Sequence, residues 1–237
     1  MSDRENLFKP IHKGIRAMVY ELGLRLGVTD FASLNESNEI ALQLKHDLID
    51  SRANCILCLL YAHSRHEEKD FFSAMVPFDK DLVELMMGEH RELGKQIAQL
   101  GKTCDELVGL TDRARRIEVG DRLCLEANDL FAAYLAHLNN EEATLVPVMW
   151  ERFTDEQLRA FRAQFYNHVP LPRFEEWMRW TLPALNPEEL EILVKGMRTD
   201  PAPNRYRDVL RVAEATLPTD RWGPIRSRLD SSASTTG

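Results

Sequence analysis

The sequence predicts an all-α protein: an antiparallel up-down-up-down four-helix bundle followed by a C-terminal region of short helices. Apolar residues recur at three- and four-residue steps from Leu7 to about Trp150, which is the periodicity of amphipathic helices. Runs typical of strands are almost absent, and prolines become frequent after Thr154. Four long amphipathic segments with short connections make an up-down-up-down bundle the simplest architecture.

The first two helices are separated by a turn-rich stretch. Helix one is predicted from about Leu7 to Leu26, with Pro10 tolerated in its first turn. The connection Gly27–Asn35 comes after it. Helix two is then predicted over about 36–74, with room for an internal break.

The third and fourth helices have clear start and stop signals. Pro77 cannot continue the hydrogen-bond ladder of helix two, and Asp79 is suited to cap the start of helix three. Helix three is predicted over about 80–100, ending at Gly101, and helix four over about 112–149.

The C-terminal region is divided by prolines into five short predicted helices, at about 154–167, 173–182, 187–197, 204–216 and 220–229. Thr154 and Asn186 are predicted N-caps, because Glu or Gln occurs after each in the first turn. We therefore divide the chain into a bundle (1–152), a C-terminal helical region (153–230) and a small, polar tail predicted to be disordered (231–237). The prolines that divide the region are Pro170, Pro172, Pro183, Pro187, Pro201, Pro203, Pro218 and Pro224.

Composition excludes several classes of function. The net charge of -8 and pI near 5.5 argue against a nucleic-acid surface or an anionic membrane partner. No apolar run approaches the ~20 residues that span a bilayer. The first ten residues lack the apolar segment of a signal peptide, so the predicted location is the cytoplasm. Cys55 and Cys58 form a CxxC, which is compatible with zinc or redox chemistry, but their apolar helical setting predicts buried core cysteines.

An internal repeat carries the functional argument. Residues 63–75 read HSRHEEKDFFSAM and residues 137–149 read HLNNEEATLVPVM, sharing the His, the Glu-Glu pair, an apolar pair and the final Met. The starts of helices one and three also align, with His12-Lys13 matching His90-Arg91. A helical hairpin is therefore predicted twice, each with a lone His on its first helix and a His-x-x-x-Glu on its second.

The repeat predicts a metal site in the bundle core. A spacing of four returns a helical side chain to nearly the same direction, so each His-x-x-x-Glu can point at one spot. Two packed hairpins would bring four imidazoles and two carboxylates together, with the carboxylates able to bridge two metals. This donor mixture suits iron, with manganese or zinc as alternatives. The predicted ligands are His12, His63, Glu67, His90, His137 and Glu141.

This pattern resembles the hemerythrin-like proteins with an HHE cation-binding domain, over about residues 7–150. The resemblance implies a four-helix bundle, two iron ions with an oxo or hydroxo bridge, and a small partner such as O2, peroxide or NO. Oxygen-carrying members have a second His four residues after the helix-three ligand, where this chain has Gly94. Their last carboxylate is an Asp five residues after its His, whereas Glu141 is four residues after His137. These departures favour chemistry or sensing over reversible oxygen transport.

Four functions stay open on the sequence. The first is a di-iron protein that handles O2, peroxide or NO, with peroxidase, catalase-like or oxidase activity. The second is a non-catalytic iron or oxygen sensor whose stability depends on metal loading. The third is a di-iron oxygenase acting on an organic substrate, and the fourth is an all-helical interaction module with a vestigial site.

Residues around the site carry weaker expectations. Tyr134 and Phe71 are candidates for the wall of a ligand pocket, with core packing as the preferred interpretation of Tyr134. Glu68 and Glu142 are expected to face solvent or a neighbouring helix, with a contact to a metal ligand as the alternative. His66 is expected not to be a ligand, because the repeat places Asn140 at the equivalent position. The tryptophans of the C-terminal helices are expected to pack against the bundle or in a homo-oligomer interface. These tryptophans are Trp177, Trp180 and Trp222.

Overall fold

The computed structural model describes residues 4–45, 56–199 and 203–234, and within these ranges it contains helices and π turns but no strand. The prediction of an all-α protein is confirmed. The chain divides into two compact units, one formed by Met18–Arg152 and the other by Met1–Ala17 with Phe153–Gly237. The predicted domain division near residue 152 and the predicted up-down-up-down order stay predictions.

The unit Met18–Arg152 contains the long helices that the apolar periodicity predicts. Helix two is predicted over about 36–74 with room for an internal break, and residues 46–55 of that span lie outside the described part of the chain. Two π turns, Glu68–Phe72 and Glu141–Leu145, interrupt its helices. This unit contains α1 (Lys9–Val28) from Met18 onward, and the helices α2 (Leu34–Lys45), α3 (Ile56–Glu67), α4 (Ser73–Met75), α5 (Lys80–Leu107), α6 (Arg113–Asn140) and α7 (Val146–Arg152).

Helices α5 and α6 pack along each other and are joined by a short connection. Asp79 caps α5 as predicted, accepting a hydrogen bond from the Leu82 backbone N–H at 2.9 Å. The predicted end of this helix at Gly101 is wrong, because α5 continues to Leu107. Gly101 is itself buried, as are several residues after it, and packing outweighs the low helix propensity of glycine. The chain leaves the helix at Gly109, whose φ of 73° is one that glycine adopts freely.

The loop before α2 is held against α6 by a buried arginine and a glycine. The Arg116 guanidinium donates to the carbonyl oxygen of Phe31 at 3.1 Å and to that of Thr111 at 2.9 Å. The Phe31 ring lies so close to Gly120 that a Cβ there would overlap it. These contacts fix the position of α6, which carries one of the predicted histidines.

The two π turns lie one residue apart in the register of the sequence repeat. One comes directly after Glu67, the last residue of α3, and the other begins at Glu141 directly after α6. In the second turn the Val146 backbone N–H donates to the Glu141 carbonyl, five residues back. Pro147 comes next, and its missing N–H favours such an interruption there. The α-helical periodicity of the sequence contains no signal for either turn.

The other unit joins the N-terminal segment to the C-terminal helices α8 (Asp155–His168), α9 (Leu171–Ala184), α10 (Pro187–Thr199), α11 (Pro203–Thr216) and α12 (Thr219–Ser234). Gly14 of α1 approaches α9 so closely that a Cβ would lie 2.9 Å from the Thr181 backbone. The Lys13 ammonium lies 2.5 Å from the Glu189 carboxylate.

Local signals in the C-terminal region are confirmed in most positions. Thr154 and Gln157 form a capping box, and Asn186 accepts a hydrogen bond from the Glu189 backbone N–H at 2.9 Å. Helix α12 extends to Ser234, so residues 231–234, predicted as part of the disordered tail, are helical. Residues 235–237 lie outside the described part of the chain.

Aromatic side chains build the core of this second unit. The Trp177 ring stacks on Phe165 with centroids 5.5 Å apart, and Trp222 is also buried. Trp177 therefore packs within its own unit, and a homo-oligomer through the C-terminal helices stays a prediction.

Two further expectations can be compared with the described residues. No helix among them has the length and apolar character needed to cross a membrane. Cys104 is buried and Cys124 half-buried, and both are free thiols. Cys58 is buried as predicted but is disulfide-bonded, which the sequence pattern did not indicate. Cys55 lies outside the described residues.

Candidate metal centre

Five of the six predicted ligands come together inside the unit Met18–Arg152. The spacing of four places each Glu one turn from its His, with His63 Nε2 3.1 Å from Glu67 Oε1. In the second copy of the motif, His137 Nε2 lies 3.3 Å from Glu141 Oε1. His90 enters from α5, its Nε2 3.5 Å from Glu67 Oε2 and 3.9 Å from Glu141 Oε1. All five side chains are buried.

The two histidines of α5 and α6 face each other through the same ring nitrogen. His90 Nε2 and His137 Nε2 are 2.9 Å apart, so one must donate its N–H to the other in the metal-free chain. Two nitrogens bound at right angles to one metal, with bonds of ~2.1 Å, would lie about 3 Å apart. The observed separation therefore suits two imidazoles that share a metal ion.

The donor set fits a divalent transition metal. Glu67, His90, His137 and Glu141 each offer a ligand atom, and these atoms lie within 4.8 Å of one another. A cluster of two imidazoles and two carboxylates suits iron, manganese or zinc. A buried carboxylate is costly unless a cation or several donors compensate it, and this cluster contains two. A bound metal ion would supply that compensation.

His63 extends the cluster on its other side. The same two carboxylates, of Glu67 and Glu141, lie with it in a group whose ligand atoms are within 4.8 Å of one another. Each glutamate thus belongs to both groups of candidate ligands, as the sequence predicts for bridging carboxylates.

His12 belongs to the segment Met1–Ala17, which groups with the C-terminal helices. It is fully buried in α1, and its ring contacts Phe8 edge-on with centroids 5.5 Å apart. Its role as a metal ligand stays a prediction that rests on its match to His90 in the repeat.

The charges of the cluster act strongly on one histidine. Burial lowers the pKa of His137, but hydrogen bonds and charges from Glu141, Glu67 and Glu89 outweigh it and raise the pKa to about 9. In the metal-free chain His137 thus holds a proton at neutral pH. Because a metal ligand must be deprotonated, metal binding there has to release this proton.

Two carboxylates outside the cluster contact the far nitrogens of the facing histidines. Glu68 Oε1 lies 3.2 Å from His90 Nδ1, which is the alternative that the sequence left open for this residue. Glu89 Oε2 lies 2.7 Å from His137 Nδ1, and Asn140 donates to its other oxygen. The sequence did not indicate Glu89, because its side chain reaches sideways to a neighbouring helix and no periodic spacing marks it.

Aromatic rings line the cluster. The Phe72 ring stacks on His90 with centroids 5.1 Å apart. A π turn brings the fifth residue after Glu67 back to the ligand's face, so Phe72 reaches His90 although α-helical spacing did not indicate it. Phe71 is buried, and its place in a ligand pocket stays a prediction.

Tyr134 is buried beside the cluster, as its position one turn before His137 predicts. Its ring meets His137 edge-on at 6.1 Å, and its hydroxyl donates to the Leu60 carbonyl at 2.8 Å. Burial, with the charges of Glu67 and Glu141, raises its pKa well above the usual value, so the phenol stays protonated. The role of Tyr134 in a ligand pocket stays a prediction.

The chain matches a known protein family over more than half of its length. The family model described as the hemerythrin HHE cation-binding domain matches residues 5–149. The chain belongs to this family. The resemblance inferred from the repeat is thereby confirmed, and the matched segment contains the predicted ligands of this hemerythrin-family chain.

Two curated relatives are described as BRUTUS-like zinc finger proteins of Arabidopsis thaliana. One is 28% identical over 198 residues, covering 81% of this chain and 15% of the relative. The other is 25% identical over 183 residues, covering 77% of this chain and 14% of the relative. The hemerythrin-family chain thus spans about one seventh of the length of these relatives. No solved structure matches it.

Proposed function

We propose that this chain is a non-haem di-iron protein that reacts with O2, peroxide or NO, either protectively or as an oxidase. The observation that carries the proposal is the buried group of Glu67, His90, His137 and Glu141, in a chain of a cation-binding family. Imidazole and carboxylate donors together suit iron, with manganese or zinc as alternatives. The proposed location is the cytoplasm.

Two metal positions are proposed because the glutamates are shared between two groups of ligands. In this proposal His90 and His137 would hold one ion and His12 and His63 the other, and Glu67 and Glu141 would be available to both. The repeat supports this division, since each hairpin supplies one lone His and one His-x-x-x-Glu. When bound, two ferrous ions supply the electrons for a two-electron reduction of O2 or peroxide.

The surrounding residues contribute order and exclusion of water. The Phe72 ring covers one face of His90, and the buried Tyr134 ring lies against His137. A dry setting strengthens every electrostatic interaction of the glutamates with a bound cation. Gly94 stands where oxygen carriers of the family have a further His, and a Cβ there would meet no atom within 4 Å. This supports a centre with positions open to an exogenous ligand.

The test is anaerobic loading with ferrous iron, followed by exposure to O2, peroxide and NO in turn while optical spectra are recorded. We expect a near-ultraviolet band after oxidation that shifts on addition of azide or peroxide. Peroxide consumption by the wild type and loss of this activity in Glu141→Ala would support the enzymatic form of the proposal. A loaded chain whose spectrum is unchanged by all three oxidants or ligands would contradict it.

A metal-dependent sensor is the second candidate, favoured by the placement of the ligands. The buried group draws its side chains from α3, α5, α6 and the second π turn, so a metal ion would cross-link separate helices. Such binding stabilises the folded chain over the unfolded one. Strong dependence of thermal stability on iron, without any turnover of peroxide, is the outcome that separates this candidate from the first.

A further inference from the structure

Two carboxylates that lie outside the ligand group contact the ring nitrogens that face away from it. Glu89 of α5 reaches across to His137 of α6, with 2.7 Å between its Oε2 and the Nδ1 of the ring. Glu68 of the first π turn reaches across to His90 of α5, with 3.2 Å between Oε1 and Nδ1. Each carboxylate therefore comes from a neighbouring element rather than from the helix of the histidine it contacts.

This arrangement determines which ring nitrogen is available to a metal. A neutral imidazole carries its proton on one nitrogen and its lone pair on the other. A carboxylate at Nδ1 accepts that N–H and leaves the lone pair on Nε2. The Nε2 atoms of His90 and His137 are the ones that face each other at 2.9 Å, beside Glu67 and Glu141.

We propose that Glu89 and Glu68 are positioning residues of the metal centre, and that Glu89 has the larger effect. They fix the tautomer and orientation of His137 and His90, so that both rings present Nε2 to one ion. The inference rests on the proposed metal centre and adds two residues to it.

The unequal effect is explained by the other partners of the two carboxylates. Glu89 takes its second hydrogen bond from the neutral Asn140 amide, at 2.7 Å. Glu68 is paired with the Arg65 guanidinium at 2.6 Å, which neutralises part of the charge that would act on His90. Glu89 is the more exposed side chain, at 29% against 17%, which works in the opposite direction. We expect Glu89 to have the larger effect on metal binding, because its contact with the imidazole is shorter and its second hydrogen bond comes from a neutral donor.

The asymmetry can be measured with Zn²⁺ and Co²⁺ on the full chain. The variants are Glu89→Ala, Glu89→Gln and Glu68→Ala, with Glu92→Gln as the matched control. Glu92 lies on the same helix as Glu89, 60% exposed and paired with Lys95. The Kd for Zn²⁺ is measured by competition with a chromogenic chelator, and the visible spectrum of Co²⁺ is recorded at saturation. Thermal unfolding of each metal-free variant reports whether it folds.

The expected order of effects is specific. Glu89→Ala raises the Kd about 10- to 100-fold and alters the Co²⁺ spectrum even at saturation, because the ring of His137 is no longer held. Glu89→Gln lies between Glu89→Ala and the wild type, since its amide oxygen still accepts the N–H but carries no charge. Glu68→Ala has a smaller effect than Glu89→Ala, and Glu92→Gln matches the wild type. A purely structural role for Glu89 would leave the spectrum of the saturated site unchanged.

The outcomes separate this inference from the proposed function. Binding of Zn²⁺ by the wild type, with the same Kd and Co²⁺ spectrum in Glu89→Ala and Glu89→Gln, would overturn the inference and leave the metal centre standing. A wild-type chain that binds neither metal would overturn the proposed function itself. If Glu89→Ala does not fold, the nearly isosteric Glu89→Gln decides the question by the same two readouts.

Discussion

Replacing Glu141 by Gln should remove most of the stabilisation that a metal ion gives to the chain. Glu141 is fully buried and its carboxylate belongs to both groups of candidate ligands. At a free metal concentration 100 times the wild-type Kd, binding stabilises the folded state by about 2.7 kcal/mol. Loss of a charged ligand that weakens binding about 100-fold would leave only about 0.4 kcal/mol at the same concentration. The expected loss of metal-dependent stabilisation is therefore about 2.3 kcal/mol for each bound ion.

The assay is denaturant unfolding of both chains with and without Zn²⁺, at one fixed free metal concentration. Because each chain is compared with itself, any effect of the substitution on the metal-free fold cancels. Glu84→Gln serves as the control, since Glu84 lies on α5 with its side chain 64% exposed. Equal metal-dependent shifts in Glu141→Gln and the wild type would refute the reasoning, because Glu141 would then not touch the ion.

Three further results are expected. The pKa of His137 in the metal-free chain is raised to about 9, so its proton stabilises the folded metal-free chain. This stabilisation is complete below the unfolded pKa of 6.5 and is lost as pH rises through 9. A metal ion must displace this proton, so chelator-buffered Zn²⁺ titrations should show affinity rising about tenfold per pH unit up to about pH 9, and a flat profile would contradict the account. Gly94→Ala should stabilise the chain by about 0.5–1 kcal/mol, because the added Cβ meets no neighbouring atom within 4 Å. Gly120→Ala should destabilise it by about 1–3 kcal/mol, because the added Cβ overlaps a phenylalanine ring. Urea unfolding measures both changes, and a change of the same sign in both variants would contradict the packing. Burial raises the pKa of Glu189, but two lysines and a backbone N–H outweigh burial and lower the pKa to about 2. The stability that the ionised carboxylate contributes above pH 4.5 should therefore be lost as pH falls towards 2. Acid unfolding of Glu189→Gln should show a smaller loss of stability over that window, and a curve identical to that of the wild type would contradict this.

The helical repeat made most of the candidate site predictable from the sequence. A His and a Glu four residues apart on a helix lie one turn apart wherever that helix is packed, so the pairs His63–Glu67 and His137–Glu141 result from local geometry. The matching position of His90 in the repeat placed it opposite them.

Features that depend on non-periodic geometry could not be predicted in the same way. The π turn after Glu67 shifts the helix face by one residue, so Phe72 stacks on His90, a contact that regular spacing did not indicate. Glu89 of α5 contacts His137 of the neighbouring helix α6, and such a contact depends on how the two helices are rotated about their axes.

The ends of the helices and their division between the two units also could not be predicted from local sequence patterns. Gly101 does not end α5, because buried packing outweighs its weak helix propensity. The N-terminal segment groups with the C-terminal helices through contacts such as Gly14 with Thr181 and Lys13 with Glu189. These contacts join residues far apart in the sequence, and no local pattern indicates them.

The central claim is that the buried glutamates and histidines hold iron. The most direct test is metal analysis of the chain after anaerobic loading with ferrous iron and removal of the excess, beside the double variant Glu67→Gln/Glu141→Gln. The account predicts close to two irons per wild-type chain and almost none in the variant. A wild-type chain that folds without retaining metal, or a double variant that retains as much as the wild type, would contradict it.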